Sequence, residues 1–222
     1  MTSQPRPAAF FDLDRTLVSV NTAKLYVRWR VRQKQLGWMN IVRVSWWGAQ
    51  YGLGLLDAAR ASERAVSTLR GIEEETFRAE CAAWARREVF EHVSESARRE
   101  VDRQRDRGLM LAILTTTTRY VAEPVAESLG IEHTLCSRVD VDSAGRFTGT
   151  VSEPLCFGAG KVDRARTWAA AHGVDLSRSV FYTDSVSDLP MLEAVAEPRV
   201  INPDPRLRRI ARQRAWPIER WL

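Results

Sequence analysis

Residues 8–16 read Ala-Ala-Phe-Phe-Asp-Leu-Asp-Arg-Thr. Four apolar residues run into Asp12 without any polar alternation. A run of this kind is a short strand buried on both faces. Two later segments repeat it. Leu109-Met-Leu-Ala-Ile-Leu114 leads into Thr115, and Ser179-Val-Phe-Tyr182 leads into Thr183 and Asp184. Asp12, Thr115 and Asp184 therefore each follow an apolar strand. Helical stretches lie between. One begins near Val20 and is punctuated by Gly37, Gly48, Gly52 and Gly54. Leu56 to Leu69 places Leu56, Ala59, Val66 and Leu69 on one stripe, and Glu73 to Phe90 is a second amphipathic helix. Ser94 to Arg107 is a charged helix closed by Gly108. Tyr120 to Leu129, Lys161 to His172 and Leu189 to Ala196 are helical, and Arg199 to Ile201 is a final short strand. Arg138 to Val151, centred on Asp142-Ser-Ala-Gly145, reads as a β-hairpin. Strands alternating with helices predict an α/β fold with a mostly parallel sheet. Sites in such sheets gather at the carboxyl ends of the strands.

The composition sets the outer bounds. The chain has 222 residues, 45% of them hydrophobic, enough for one core or a core with a smaller insert. A charged fraction of 27% with this apolar content excludes a disordered chain. The net charge is +5, which suits anionic partners. Only three basic residues are lysines (Lys24, Lys34, Lys161) and 30 are arginines. Acids and bases interleave along most of the chain, so the excess reads as composition more than as a binding face. Cys81, Cys136 and Cys156 are widely spaced and form no CxxC pair. They predict free thiols in a reducing, cytoplasmic compartment. His92, His133 and His172 lack ligand spacing. Acids appear within the first dozen residues, so no signal peptide is expected there.

Asp12 and Asp14 leave one strand two residues apart. Two such carboxylates suit a nucleophile paired with a general acid and base, and an Asx-capped turn is the plainer reading of the same pattern. Asp184 and Asp188 add two more carboxylates beyond another strand. Four carboxylates repel one another unless a cation neutralises them, and hard oxygen donors select Mg²⁺. Asp188 also reads as the N-cap of the helix that follows. Thr115 offers a hydroxyl at a strand end, although four consecutive threonines are ordinary strand sequence too. Lys161 opens a helix after Phe157-Gly-Ala-Gly, where an ammonium and a helix start both favour an anion.

Taken in order, FFDLDRTLV, the strand-borne Thr115, GAGK and YTDSVSDLPMLEAV resemble the haloacid dehalogenase superfamily. The likeness is to its phosphoserine-phosphatase-like subfamily, with YGLGLLD and GRFTGTV in support, and it spans nearly the whole chain. It implies a Rossmann-like core of residues 1–17 and 92–222 with a helical cap of residues 18–91. By that resemblance Asp12 attacks phosphorus and becomes an aspartyl-phosphate. Asp14 protonates the leaving oxygen and then deprotonates water. Mg²⁺ is held by Asp12, the Asp14 carbonyl and Asp184, with Asp188 near. The phosphoryl- and substrate-binding candidates are Thr16, Thr115, Thr116, Lys161, Ser187 and Asn21; Arg15, at a position usually small or varied in the family, either meets an anionic substrate at the entrance or, by the slightly favoured reading, is simply solvated. The implied activity is hydrolysis of a phosphomonoester, for which positioning and electrostatics supply most of the rate.

Two positions depart from the pattern. Phosphoserine phosphatases carry a Glu nine residues after the nucleophile, to meet the substrate ammonium, and an Asn just before the last motif aspartate. Here these are Asn21 and Ser187. Between Arg15 and Leu56 there is no Asp or Glu, while Arg15, Lys24, Arg28, Arg30, Arg32, Lys34 and Arg43 alternate with Tyr26, Trp29, Trp38, Trp46, Trp47 and Tyr51. Packing of the cap on the core is the favoured reading. Contact with anionic lipid, and with it a lipid-phosphate substrate at the inner membrane face, is the next; nucleic acid is not expected. Residues 36–56 are long enough to span a bilayer but carry Arg43, Asn40, Gln50 and four glycines. A non-catalytic phosphate- or membrane-binding regulator is the alternative of another class, and the complete set of six motif residues argues against it.

Overall fold

A computed structural model describes residues 5–33 and 64–221. Seven strands form one sheet: β1 (Ala8–Phe11), β2 (Met110–Thr118), β3 (His133–Val141), β4 (Phe147–Ser152), β5 (Val180–Thr183), β6 (Glu197–Ile201) and β7 (Ile218–Glu219). Their order is β4-β3-β2-β1-β5-β6-β7, and only the β3–β4 pairing is antiparallel. Strand β1 lies between β2 and β5, with Phe11 level with Ile113 on one side and Tyr182 on the other. That register brings Asp12, Thr115 and Asp184 to one end of the sheet, as the apolar runs predicted.

The runs are continuous because both faces are covered. Phe11, Ile113 and Tyr182 face the helices α3 (Glu95–Asp106) and α4 (Arg119–Ser128), through Ala97, Val101, Val121 and Val125. Phe10, Leu114 and Phe181 face α5 (Ala159–His172), α6 (Leu189–Ala194) and α7 (Pro205–Gln213), through Val162, Ala165, Met191 and Leu207. Phe10 and Phe11 are fully buried, each contributing roughly 1.5–3 kcal/mol of transfer free energy. Phe11 also stacks on Tyr182 with ring centroids 4.7 Å apart.

The insert between β1 and β2 contributes α1 (Thr22–Arg32), a helical turn over residues 64–67 and α2 (Glu74–Trp84). Tyr26 meets Trp84 edge-on at 5.1 Å, and Val66, Phe77 and Cys81 pack on Tyr120, Val139 and Phe147. Backbone bonds fasten its second half to the β3–β4 hairpin. Gly71 N donates to Phe147 O at 2.8 Å, Phe147 N to Ile72 O at 3.0 Å, and Glu74 N to Gly145 O at 2.8 Å. The Glu74 carboxylate accepts from Arg119, from Tyr120 Oη at 2.9 Å and from Arg78 at 3.2 Å.

The structure corrects several expectations. β2 runs through the threonines to Thr118, because β-branched hydroxyl residues suit a strand as well as Val does. Thr115 is therefore within the strand and not after it. The hairpin starts earlier, since β3 first pairs in parallel with β2 from His133. The helix from Glu73 tightens and loosens past Trp84, through a π turn at Ala85–Val89 and a 3₁₀ turn at Phe90–His92. β6 is not the last element, because α7 and β7 follow it. Cys81, Cys136 and Cys156 are buried free thiols. Lys34, Trp38, Arg43, Trp46, Trp47, Tyr51 and the first half of the expected 56–69 helix lie outside the described residues. No helix among the described residues is long and apolar enough to cross a membrane.

Candidate active site

The site is built around one buried lysine. Lys161 is the third residue of α5, and its side chain is only 2% exposed. Its Nζ donates to Asp12 Oδ1 at 2.8 Å and to Asp188 Oδ2 at 2.7 Å. The Gly-Ala-Gly before it explains how the helix comes so close. Gly158, the N-cap, has φ 54°, and a Cβ on Gly160 would lie 1.9 Å from the Leu155 carbonyl oxygen. Thr183 Oγ1 donates to the same Asp188 Oδ2 at 2.6 Å. Asp188 closes a short turn beyond β5 and leads into α6 without capping it through its side chain.

Asp14 points the other way along the sheet end. Its Oδ1 accepts from Thr22 N at 2.7 Å and its Oδ2 from Thr117 Oγ1 at 3.2 Å. Asp184 is 7% exposed, and its carboxylate makes no hydrogen bond or ion pair among the described residues. Thr115 is buried and accepts from Thr117 N at 3.2 Å, which leaves its hydroxyl hydrogen free. Thr16 Oγ1 is buried with no partner. Thr116 spends its hydroxyl on Cys156 O at 2.9 Å, and Ser187 Oγ pairs with Ser185 Oγ at 2.9 Å. Asn21 is the N-cap of α1, accepting from Lys24 N at 3.0 Å. Arg15 has an exposed side chain and a left-handed backbone, φ 58°.

The electrostatics follow from burial. Burial pushes the Asp12 carboxyl from 3.8 up to about 7, with Lys161 pulling it back and Asp188 and Asp14 pushing further. Burial and the Asp12 charge raise Asp184 to about 8, against the opposing charge of Arg15. Burial also raises Asp14, while its bonds from Thr22 and Thr117 hold it down. Burial works against the Lys161 ammonium, but Asp12 and Asp188 outweigh it and keep the lysine charged.

A Mg²⁺ ion fits this donor set. Asp12 has one oxygen outside the lysine contact, the Asp184 carboxylate has no partner among the described residues, and burial raises both carboxyls, a rise that a bound cation would oppose. Among the described residues no three His, Cys, Asp or Glu side chains converge as a closed cage. Mg²⁺ commonly uses one or two carboxylates and keeps waters or substrate oxygens for the rest.

Local sequence reading overlooked the residues that hold the carboxylates. Thr117 stands two positions from Thr115, but the pairing register shifts between Thr115 and Thr118, so simple alternation does not carry it to the site. Thr183 was passed over as part of the strand. The turn Asn202-Pro203-Asp204 was also missed. Asp204 accepts from Arg206 N and Leu207 N at 2.8 Å, capping α7, and from Val186 N at 2.7 Å, while its own N donates to Asp184 O at 2.9 Å. The Asp-Pro start of α7 is a helix signal; the bond to the Asp184 loop has no local signal.

Residues 9–193 match the family model of haloacid dehalogenase-like hydrolases, and the chain belongs to that family. A probable phosphatase of Mycobacterium tuberculosis is 30% identical to it over 227 residues, 96% of this chain and 75% of the relative. A crystal structure of a Bordetella pertussis Tohama I protein of unknown function superposes with a TM-score of 0.89 at 30% identity, covering 97% of this chain and 98% of the other. A phospho-aspartyl intermediate analogue of phosphoserine phosphatase superposes with a TM-score of 0.68 at 20% identity, covering 93% of this chain and 91% of that one. The last is a likeness of fold. The protein is thus a hydrolase with a phosphoserine-phosphatase-like fold, in the family that its motifs resemble.

Proposed function

We propose that this hydrolase is a Mg²⁺-dependent phosphatase that cleaves a phosphomonoester through an aspartyl-phosphate on Asp12. The observation that carries it is the Asp12–Lys161 pair. A buried ammonium 2.8 Å from Asp12 Oδ1 fixes the orientation of the nucleophilic carboxylate at the strand end. The anchor fixes the attack direction, and Lys161 stays charged to offset the negative charge gathering on the phosphoryl oxygens.

In the first half-reaction an Asp12 oxygen bonds to phosphorus as the ester P–O bond breaks. The leaving oxygen takes a proton from Asp14, whose carboxyl burial raises above its ordinary value. In the second half Asp14 takes a proton from water, the water oxygen bonds to phosphorus, and the Asp12–phosphorus bond breaks to release phosphate. The uncommitted hydroxyls of Thr115 and Thr16 would donate to phosphoryl oxygens. Asp12, Asp184 and the Asp14 carbonyl, with Asp188 near, would hold Mg²⁺, which would supply charge neutralisation. Thr116 and Ser187 shape the wall, since their hydroxyls are engaged elsewhere.

We read residues 18–91 as a helical cap over a core of 1–17 and 92–222. The hydrophobic contact of α2 with α4 and the hairpin supports that division. Asn21 supplies no charge for an ammonium and is occupied as a helix cap, so phosphoserine has no support from this position. The lipid-phosphate reading rests on Trp38, Trp46 and Trp47 and has no observation in its favour among the described residues.

The test is phosphate release from an aryl phosphate. Release is expected with Mg²⁺ and not with a chelator, and Asp12→Asn is expected to abolish it. Acid quench and mass spectrometry should place a phosphoryl group on Asp12. Undiminished release by Asp12→Asn would remove the proposed nucleophile.

A further inference from the structure

Arg15 lies between the candidate acid and the candidate phosphoryl hydroxyl of Thr16, in a backbone conformation that glycine adopts freely and arginine does not. Its φ of 58° lies in the left-handed region, which is strained for an L-residue. Strain of this kind persists where the surroundings dictate it, and it gathers at functional sites. The surroundings here do dictate it. Arg15 N donates to Val20 O at 3.2 Å, and Arg15 O accepts from Asn202 Nδ2 at 3.0 Å. Asn202 is itself left-handed, φ 44°, and its Oδ1 accepts from Trp221 N at 3.0 Å. Both sides of the peptide are fixed, so the direction in which the Arg15 side chain leaves the loop is fixed too.

That side chain makes no hydrogen bond or ion pair among the described residues, and it is exposed. Asn202 opens the turn whose Asp204 N donates to Asp184 O at 2.9 Å, so the Arg15 and Asp184 loops are tied to one turn, with the Arg15 side chain exposed to solvent beside them. Lys161, by contrast, is saturated by Asp12 and Asp188. Among the described residues the site thus has one committed cation inside and one uncommitted cation at its mouth. Asn21, the position from which an ammonium would be met, is neutral.

We propose that Arg15 is a specificity-determining residue that binds a second anionic group, a carboxylate or a phosphate, on the leaving-group side of the substrate. The proposal rests on the phosphatase reading of the site. A planar guanidinium suits both groups because it donates two parallel hydrogen bonds to either. The competing account is that Arg15 only balances the carboxylates around Asp184.

The experiment uses esters that differ at one end: ethyl phosphate, phosphoglycolate with a carboxylate in place of the methyl, ethylene glycol bisphosphate and phosphoethanolamine. Turnover is measured with the wild type, Arg15→Gly, Arg15→Lys and Arg15→Gln. Binding is measured by calorimetry in the Asp12→Asn background. Arg15→Gly is expected to fold, since glycine accepts the left-handed angle, and Arg15→Gln covers the case that it does not. The wild type should favour one or both anionic esters over ethyl phosphate by on the order of tenfold in kcat/KM and in Kd. Phosphoglycolate and the bisphosphate separate the two anion classes. Arg15→Gly and Arg15→Gln should flatten that ratio, and Arg15→Lys should keep part of it. A ratio equal in wild type and variants overturns the proposal. So does a preference for phosphoethanolamine, or an Arg15→Gly protein that gains Mg²⁺ affinity with the ester ratio unchanged. If no ester is turned over yet the binding ratio depends on Arg15, the phosphatase reading fails and the subsite stands. If no ester binds, both fail.

Discussion

Replacing Lys161 by Met should destabilise the protein in a pH-dependent way. The substitution keeps the apolar stem and removes the ammonium. Lys161 donates to Asp12 at 2.8 Å and Asp188 at 2.7 Å, and all three side chains are nine-tenths or more buried. Removing one member of a buried pair costs about 3–5 kcal/mol, because the remaining charge has lost its partner. Asp188 keeps the Thr183 hydroxyl, whereas Asp12 Oδ1 keeps nothing else among the described residues. The Asp12 side of the site therefore carries most of the loss. At 2–4 °C per kcal/mol for a chain of this size, the melting point should fall by about 10 °C at pH 8. The sign with pH follows from which state holds the protons. Burial already raises the Asp12 carboxyl and Lys161 pulls it back, so without the ammonium Asp12 holds its proton more tightly in the folded state than in the unfolded one. Its burden is absent when it is protonated and grows as pH rises. The deficit should shrink toward pH 5, and Mg²⁺ should recover part of it at pH 8. Melting curves with chelator or Mg²⁺ at both pH values test this. A deficit of the same size at pH 5 and pH 8 would mean that packing, not charge, is what Lys161 supplies.

Three further outcomes are expected. Gly160→Ala sets a Cβ 1.9 Å from the Leu155 carbonyl oxygen, so the start of α5 must shift; a loss of at least about 1–3 kcal/mol in denaturant titration, with a lower kcat, is the expected result, and wild-type behaviour would show that the approach is not tight. Thr117→Val removes the bond to Asp14 Oδ2 that holds this carboxyl down; Asp14 should then release its proton at higher pH, and the alkaline limb of kcat should move up, with an unmoved limb counting against Asp14 as the acid. The wild type itself, freed of metal, should lose stability as pH rises from about 4 to about 8 through its buried Asp12 and Asp184, which hold protons in the folded state up to about 7 and about 8. Mg²⁺ should raise the melting point more at pH 8 than at pH 5, and an equal increment at both would refute the linkage.

The central strands were readable because parallel strands covered on both faces leave little choice but continuous apolar residues. Phe10 and Phe11 each face a different helical layer, so neither position accepts a polar residue. From there the positions of Asp12 and Asp184 follow by chain direction alone. The convergence of Lys161 on Asp12 spans 149 residues and is a product of the fold; the family resemblance supplied the expectation that local patterns could not. The strand end at Thr118 was hidden because hydroxyls look like the close of an apolar run, although their β-branched stems suit a strand. Thr22, Thr183 and Asp204 went unread for a related reason. Each acts through one backbone or hydroxyl contact, and such contacts leave no periodicity.

The three backbone bonds between residues 71–74 and the hairpin turn 145–147 have a mechanical meaning. A lid joined to its base by slack chain swings alone. Here residues 71–74 are also tied to the hairpin by a miniature β-ladder, backed by Gly149, whose missing side chain lets Arg70 approach to within 3.2 Å of where a Cβ would stand. A rigid movement of α2 must either melt that ladder or drag the hairpin, and with it the outer edge of the sheet. The edge strand and the insert are in this sense one moving part, and a label placed on β4, far from the carboxylates, would report on what happens above them.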